Sequence, residues 1–141
     1  MKGGTPISKI MTKNVISLKT TDNLETAESY FKKYHIGHIP VCSGSKIIGM
    51  LSYTDLLRIS FADAVYEDEE SVDTMVYNMF SIEQVMAKNL ISVSSTTFIK
   101  DVAEILSKKE FHAIPVVDKG KLVGIVTTTD LINFLIQQYE D

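Results

Sequence analysis

The sequence has one cysteine, three prolines and no tryptophan in 141 residues. A lone Cys42 excludes an internal disulfide and any zinc site built on paired cysteines, and it fits a reducing compartment. No apolar run reaches the ~18 residues that cross a bilayer. The opening residues, Met1 to Pro6, lack the apolar stretch of a secretory signal. A cytoplasmic chain without a membrane span is expected. An excess of positive charge is absent too: 14 Lys+Arg stand against 18 Asp+Glu, a net of −4, which argues against a surface built for nucleic-acid phosphates. Nucleophile elbows, Walker loops and GxGxxG turns are missing, and three histidines among scattered serines form no triad, so nothing asks for an enzyme. His35, His38 and Cys42 lie within eight residues, but no fourth ligand accompanies them, and no metal site is expected. What remains is ordinary globular composition, 45% apolar and 23% charged.

What the sequence does have is an internal repeat. Shifted by 75 residues, 7–60 runs beside 82–135 without a gap, and about 16 of roughly 54 positions are identical. Met11, Lys13 and Asn14 match Met86, Lys88 and Asn89. Ile39-Pro40-Val41 matches Ile114-Pro115-Val116. Gly49 matches Gly124, and Thr54-Asp55-Leu56 matches Thr129-Asp130-Leu131. The division is therefore a first repeat at 7–60, an acidic helical linker at 61–81 and a second repeat at 82–138.

Each copy reads β-α-β-β-α. A first strand is expected at 15–18 and at 90–93. A helix follows, capped by Thr21 or Asp22 in one copy and by Thr96 or Thr97 in the other. Its apolar face is Leu24, Ala27, Tyr30, Phe31 and Tyr34, or Ile99, Val102, Ile105 and Leu106. The Ile-Pro-Val strand should lie at an edge or carry its proline among its first residues. A tight turn, Ser43 to Lys46 or Asp118 to Lys121, makes a hairpin. The last helix begins near Asp55 or Asp130. Its apolar residues, including Leu131, Ile132, Phe134, Leu135 and Ile136, span more than one stripe, as core packing or a subunit interface would require. One unit of ~55 residues buries little core alone, so the copies should pack together.

The linker holds six of the 18 acids and no base, which leaves the repeats close to neutral. Glu67 to Glu70 lacks the spacing of a calcium loop and reads as a solvated acidic surface.

With Ile-Pro-Val, a hairpin and Gly-x-x-Ser/Thr-x-x-Asp-Leu in duplicate, the chain resembles a tandem pair of cystathionine-β-synthase (CBS) domains of the stand-alone bacterial or archaeal type. The resemblance covers nearly the whole chain. It implies an α+β fold, two β-α-β-β-α repeats packed with pseudo-two-fold symmetry, often dimerised into a disc. It implies a regulatory module that senses an adenosine-containing ligand, AMP, ADP, ATP or S-adenosylmethionine, in clefts between the repeats and signals to a partner protein. No cofactor is required, and a homodimer is expected.

By that resemblance Ser52 and Thr127 contact phosphate, and Asp55 and Asp130 hold ribose. A hydroxyl and backbone N–H groups at a helix start suit a phosphate. Read from the residues alone, Asp55 and Asp130 serve equally as helix caps. The adenine positions carried over are Thr12, Val15, Ile16, Ile36, Gly37 and Ile39, facing Thr127 and Asp130. Their counterparts are Ala87, Leu90, Ile91, Phe111, His112 and Ile114, facing Ser52 and Asp55. The aliphatics among them read equally as ordinary core. Where relatives carry a basic residue to grip phosphate, this chain has His38 in one copy and Ala113 in the other. The competing reading is a structural, protein-interaction module that dimerises without a ligand.

Overall fold

The computed structural model describes residues 4–63, 77–109 and 112–140. Most of the expected acidic linker, 64–76, and the candidate Phe111 lie outside the described residues. The chain divides into two compact units, and the division cuts across both sequence repeats. One unit is Ile16–Asn89; the other joins Met1–Val15 to Leu90–Asp141. The leading segment of each repeat thus belongs with the body of the other.

In the unit Ile16–Asn89, β1 (Leu18–Lys19), β2 (His38–Ser43) and β3 (Lys46–Ser52) form a sheet in the order β1-β2-β3. β1 runs parallel to β2, and β3 antiparallel. Helix α1 (Leu24–Tyr34) precedes β2, and α2 (Tyr53–Asp63) follows β3. The short α3 (Ile82–Val85) leads to Ala87, which bridges Met50 on the outer side of β3. Leu18, Leu24, Phe31, Ile39, Leu51, Leu56 and Ile82 are buried in one cluster. Tyr77 joins that cluster, and its hydroxyl donates to Glu28 Oε2 on α1.

The unit Met1–Val15 with Leu90–Asp141 repeats this plan with shorter edges. A 3₁₀ turn (Ile7–Lys9) is followed by Thr12, which bridges Ile125. Helix α4 (Ile99–Lys108), strands β4 (Ala113–Asp118) and β5 (Lys121–Thr127) and helix α5 (Thr128–Gln138) complete it. Ile7, Val102, Ile114, Val116 and Val126 form the core, with Leu131 and Phe134 packed on it from α5. Ile7 here fills the place that its repeat partner Ile82 fills in the other unit.

Several expectations are corrected. The cap of α1 is Asn23, whose side chain accepts from Thr26 N; Asp22 instead accepts from Lys19 N. Phe98 stands at the N-cap of α4 with no side-chain hydrogen bond. Tyr34 lies on the exposed side of α1, where its ring meets Tyr30 edge-on.

Pro40 is not at an edge, though it stands among its strand's first residues, the other expected place; Pro115 stands equally early in β4, a strand of a two-stranded sheet. β2 is the middle strand, and Pro40 is its third residue. It is tolerated because Met50 directs both its N–H and its C=O outward to Ala87, at 3.0 and 2.8 Å, so the Pro40–Met50 pair exchanges no bond. The same prolines shorten the expected first strands. In the second copy Val93 N donates to Pro115 O, and Val117 N donates to Val93 O. The next rung of a parallel ladder would need an N–H at position 115, which proline lacks. The pairing stops at a single bridge, and Ile91 is left exposed. In the first copy β1 is likewise only Leu18–Lys19.

Candidate functional site

Each unit brings its Gly-x-x-Ser/Thr-x-x-Asp element to a strand-to-helix junction. The glycines set the approach of the other repeat's leading segment. A Cβ on Gly49 would lie 2.2 Å from Met86 Sδ, and one on Gly124 would lie 2.7 Å from Met11 Sδ and 3.0 Å from the Thr12 carbonyl oxygen. Glycine therefore lets Ala87 pair beside Met50 and Thr12 beside Ile125.

The helices begin earlier than expected, at Tyr53 and Thr128, which puts Asp55 and Asp130 at the third helical position. The caps are Ser52 and Thr127. Asp55 N donates to Ser52 Oγ at 3.0 Å, and Asp130 N donates to Thr127 Oγ1 at 3.1 Å. Each hydroxyl spends an acceptor site on the cap and keeps its single O–H to donate, as a phosphate oxygen requires. The junctions are pinned from behind by backbone bonds, Tyr53 N to Gly37 O at 2.9 Å and Thr128 N to His112 O at 3.0 Å.

The carboxylates differ between the copies. Asp130 Oδ2 accepts from Thr127 N at 2.9 Å and closes a capping box. Asp55 instead directs Oδ1 to Arg58 Nη1 at 3.2 Å. Both aspartates are half-buried, so each carboxylate keeps contact with solvent. Arg58 is absent from the sequence-derived site. Its signal was the break in the repeat at that position, where the second copy has Asn133.

His38 stands directly opposite Ser52 in the β2–β3 register, and Ala113 stands opposite Thr127. Directly paired residues share a sheet face, so His38 accompanies Ser52 and Ala113 accompanies Thr127.

The adenine candidates separate between the units. Thr12 and Val15 belong to the unit that holds Thr127 and Asp130; Ile16, Ile36, Gly37 and Ile39 belong to the unit of Ser52 and Asp55. Ala87 joins Ser52 and Asp55, while Leu90, Ile91, His112 and Ile114 join Thr127 and Asp130. Thr12, Ala87, Ile91, Gly37 and His112 are exposed; Val15, Ile16, Ile36 and Leu90 are half-buried. Ile39 and Ile114 are fully buried, which agrees with the reading of these two aliphatics as ordinary core.

Two other polar features lie outside these elements. Asp118, the last residue of β4, accepts from the backbone N–H and the hydroxyl of Ser95, and these bonds hold its carboxyl below the usual range. Burial pushes the Cys42 thiol up. Among the described residues no group of three or more His, Cys, Asp or Glu side chains gathers as a metal site. Among them, too, no helix is long and apolar enough to cross a membrane.

Comparison with known proteins agrees with this geometry. The family model "CBS domain" matches twice, at residues 7–62 and 82–137. The uncharacterized protein MJ1225 of Methanocaldococcus jannaschii is 29% identical over 92% of this chain, which spans 42% of that relative's length. A homoserine O-acetyltransferase of Methanohalobium evestigatum is 28% identical, and the chain spans 25% of it. Among solved structures, an acetoin utilization protein (AcuB) from Vibrio cholerae is similar with a TM-score of 0.80 and 25% identity, covering 96% of this chain and 93% of that one. CBSX2 in complex with AMP, from Arabidopsis thaliana, gives 0.79 and 21%, covering 97% and 100%. The CBS domain pair of MJ0100, in complex with 5′-methylthioadenosine and S-adenosyl-L-methionine, gives 0.79 and 24%, covering 95% and 98%.

Proposed function

Because the chain belongs to the CBS domain family, we propose that it is a regulatory, non-catalytic module that senses an adenosine-containing nucleotide in the cytoplasm. The observation that carries this reading is the duplicated cap: a hydroxyl at the N-cap and a carboxylate three residues on, repeated at Ser52/Asp55 and Thr127/Asp130. The free O–H of Ser52 or Thr127 donates to phosphate, and the solvent-facing carboxylate accepts from ribose hydroxyls. Thr12 and Ala87, with Val15, Ile16, Ile36, Gly37, Leu90, Ile91 and His112, are the adenine-side candidates. The ligands bound by CBSX2 and by the MJ0100 pair, AMP and two adenosine thioether or sulfonium compounds, support this ligand class. The sequence division into repeats at 7–60 and 82–138 joined by an acidic linker stays part of the reading.

Binding favours one of two conformations, and a partner protein reads the difference. We include a homodimer in the proposal. On α5, Ile132, Leu135 and Ile136, continued by the C-cap Tyr139, form one face, and they are 51%, 42%, 49% and 80% exposed, while Leu131 and Phe134 turn into the core. The same face supports the rival reading of a dimerising interaction module without a ligand.

Thermal unfolding with AMP, ADP, ATP, S-adenosylmethionine and NAD separates the two. A ligand at ~100 times its dissociation constant adds ~2.7 kcal/mol and raises Tm by several degrees. A folded chain that responds to none of them contradicts nucleotide sensing and favours the interaction module.

A further inference from the structure

The two Ser/Thr-to-Asp elements are alike in backbone and unlike in charge. In the first, Arg58 Nη1 lies 3.2 Å from Asp55 Oδ1 and neutralises the carboxylate in place, and His38 stands opposite Ser52. In the second, Asn133 takes the place of Arg58 and Ala113 stands opposite Thr127. Asp130 is left with no cation of its own helix, and one of its oxygens is committed to Thr127 N. The lysines beside the two bridging residues, Lys13 and Lys88, occupy equivalent positions and do not distinguish the sites. His112 precedes β4 and is not the residue opposite Thr127.

We propose that Arg58 makes the Ser52/Asp55 element the site for a phosphate-bearing adenosine ligand and leaves the Thr127/Asp130 element for an adenosine ligand without phosphate. The proposal rests on the nucleotide-sensing reading above. A carboxylate at the third helical position repels a phosphate seated on the capping hydroxyl. Arg58 cancels that repulsion at Ser52, and nothing on α5 cancels it at Thr127. One unit charge at roughly 7 Å near a hydrated surface changes an affinity by about three- to tenfold. Both carboxylates remain able to take a ribose hydroxyl, since Asp130 keeps its second oxygen. The Arg58 side chain is 73% exposed and its ion pair is of the kind that contributes little to folding, so it can be replaced without risk to the fold.

The test is calorimetric titration of the full chain with ATP and with 5′-methylthioadenosine, for the unmodified protein, Arg58→Gln and Asn133→Arg. Arg58→Gln should weaken ATP by about three- to tenfold and change 5′-methylthioadenosine by less than about twofold. Asn133→Arg should strengthen ATP binding or add a second ATP equivalent. Equal losses of both ligands in Arg58→Gln, or no change in either, overturn the proposal while nucleotide sensing stands. If the folded, unmodified chain binds neither compound, the nucleotide reading fails and this proposal fails with it.

Discussion

Met86 occupies the space where a side chain on Gly49 would begin: a Cβ there would stand 2.2 Å from the thioether sulfur. The two residues come from different sequence repeats, and both are identical in the two copies. Their contact lets Ala87 exchange two backbone hydrogen bonds with Met50.

Gly49→Ala should therefore destabilise the chain by about 1–3 kcal/mol, the usual cost of forcing a group into a packed site. The obstruction is a flexible thioether, so Met86→Ala should recover part of that loss in a double-mutant cycle. Gly124→Ala should be rescued less by Met11→Ala, because the Thr12 carbonyl oxygen at 3.0 Å is backbone and stays in place. Denaturant unfolding of the two cycles measures the difference.

Thr127→Ala and Ser52→Ala each remove an N-cap acceptor, and each should cost about 0.5–2 kcal/mol. The copies differ in their carboxylates: Asp130→Ala should cost more than Asp55→Ala, since it removes the acceptor of Thr127 N, whereas Asp55→Ala loses only an exposed ion pair with Arg58. Equal losses from the two aspartate variants in chemical denaturation would contradict the asymmetry between the copies.

Asp118 ties the end of β4 to Ser95. Hydrogen bonds from Ser95 hold the folded-state carboxyl below its ordinary range. A depressed carboxyl stabilises the fold above its unfolded value, about 3.9, and that contribution is lost as pH falls through the lower folded value. Unfolding free energy measured from pH 5 downward should fall less steeply in Asp118→Asn than in the unmodified chain. Identical slopes would remove Asp118 from the acid response.

Cys42 is 8% exposed, and its thiol is pushed up by burial. It should react with a thiol reagent at neutral pH far more slowly in the folded chain than in denaturant. Cys42→Val, which copies the repeat partner Val117, should cost less than about 1.5 kcal/mol.

Much of the fold was legible because the repeat doubled every signal. The helical faces of Leu24, Ala27 and Phe31 and of Ile99 and Val102, the hairpins and the Asp-bearing junctions all stand where periodicity and turn residues placed them. The second hairpin turn has positive φ at both central residues, 51° at Lys119 and 79° at Gly120, as a two-residue turn of that hand needs; Gly120 favours it, and Lys119 adopts it against its usual preference. What periodicity could not show was long-range. The apolar run 90–93 has the pattern of a strand, yet a proline on the neighbouring strand ends its ladder after one bridge. The identity of Met11 with Met86 recorded that something mattered there, but not that each methionine meets a glycine from the other repeat. Capping was misplaced by a few residues because Asp, Ser and Thr all serve as caps and only geometry chooses among them.

The central claim is that the duplicated junctions hold an adenosine ligand through Asp55 and Asp130. It is tested most directly by calorimetric titration of AMP, ATP and 5′-methylthioadenosine into the unmodified chain and into the double variant Asp55→Asn with Asp130→Asn. An amide at the third helical position still accepts from a capping-residue N–H, so the fold and its Tm should be nearly unchanged. The account predicts binding by the unmodified chain and a loss of about tenfold or more in the variant, the scale of one charge-assisted hydrogen bond at each site. Undiminished affinity in the folded double variant would contradict it.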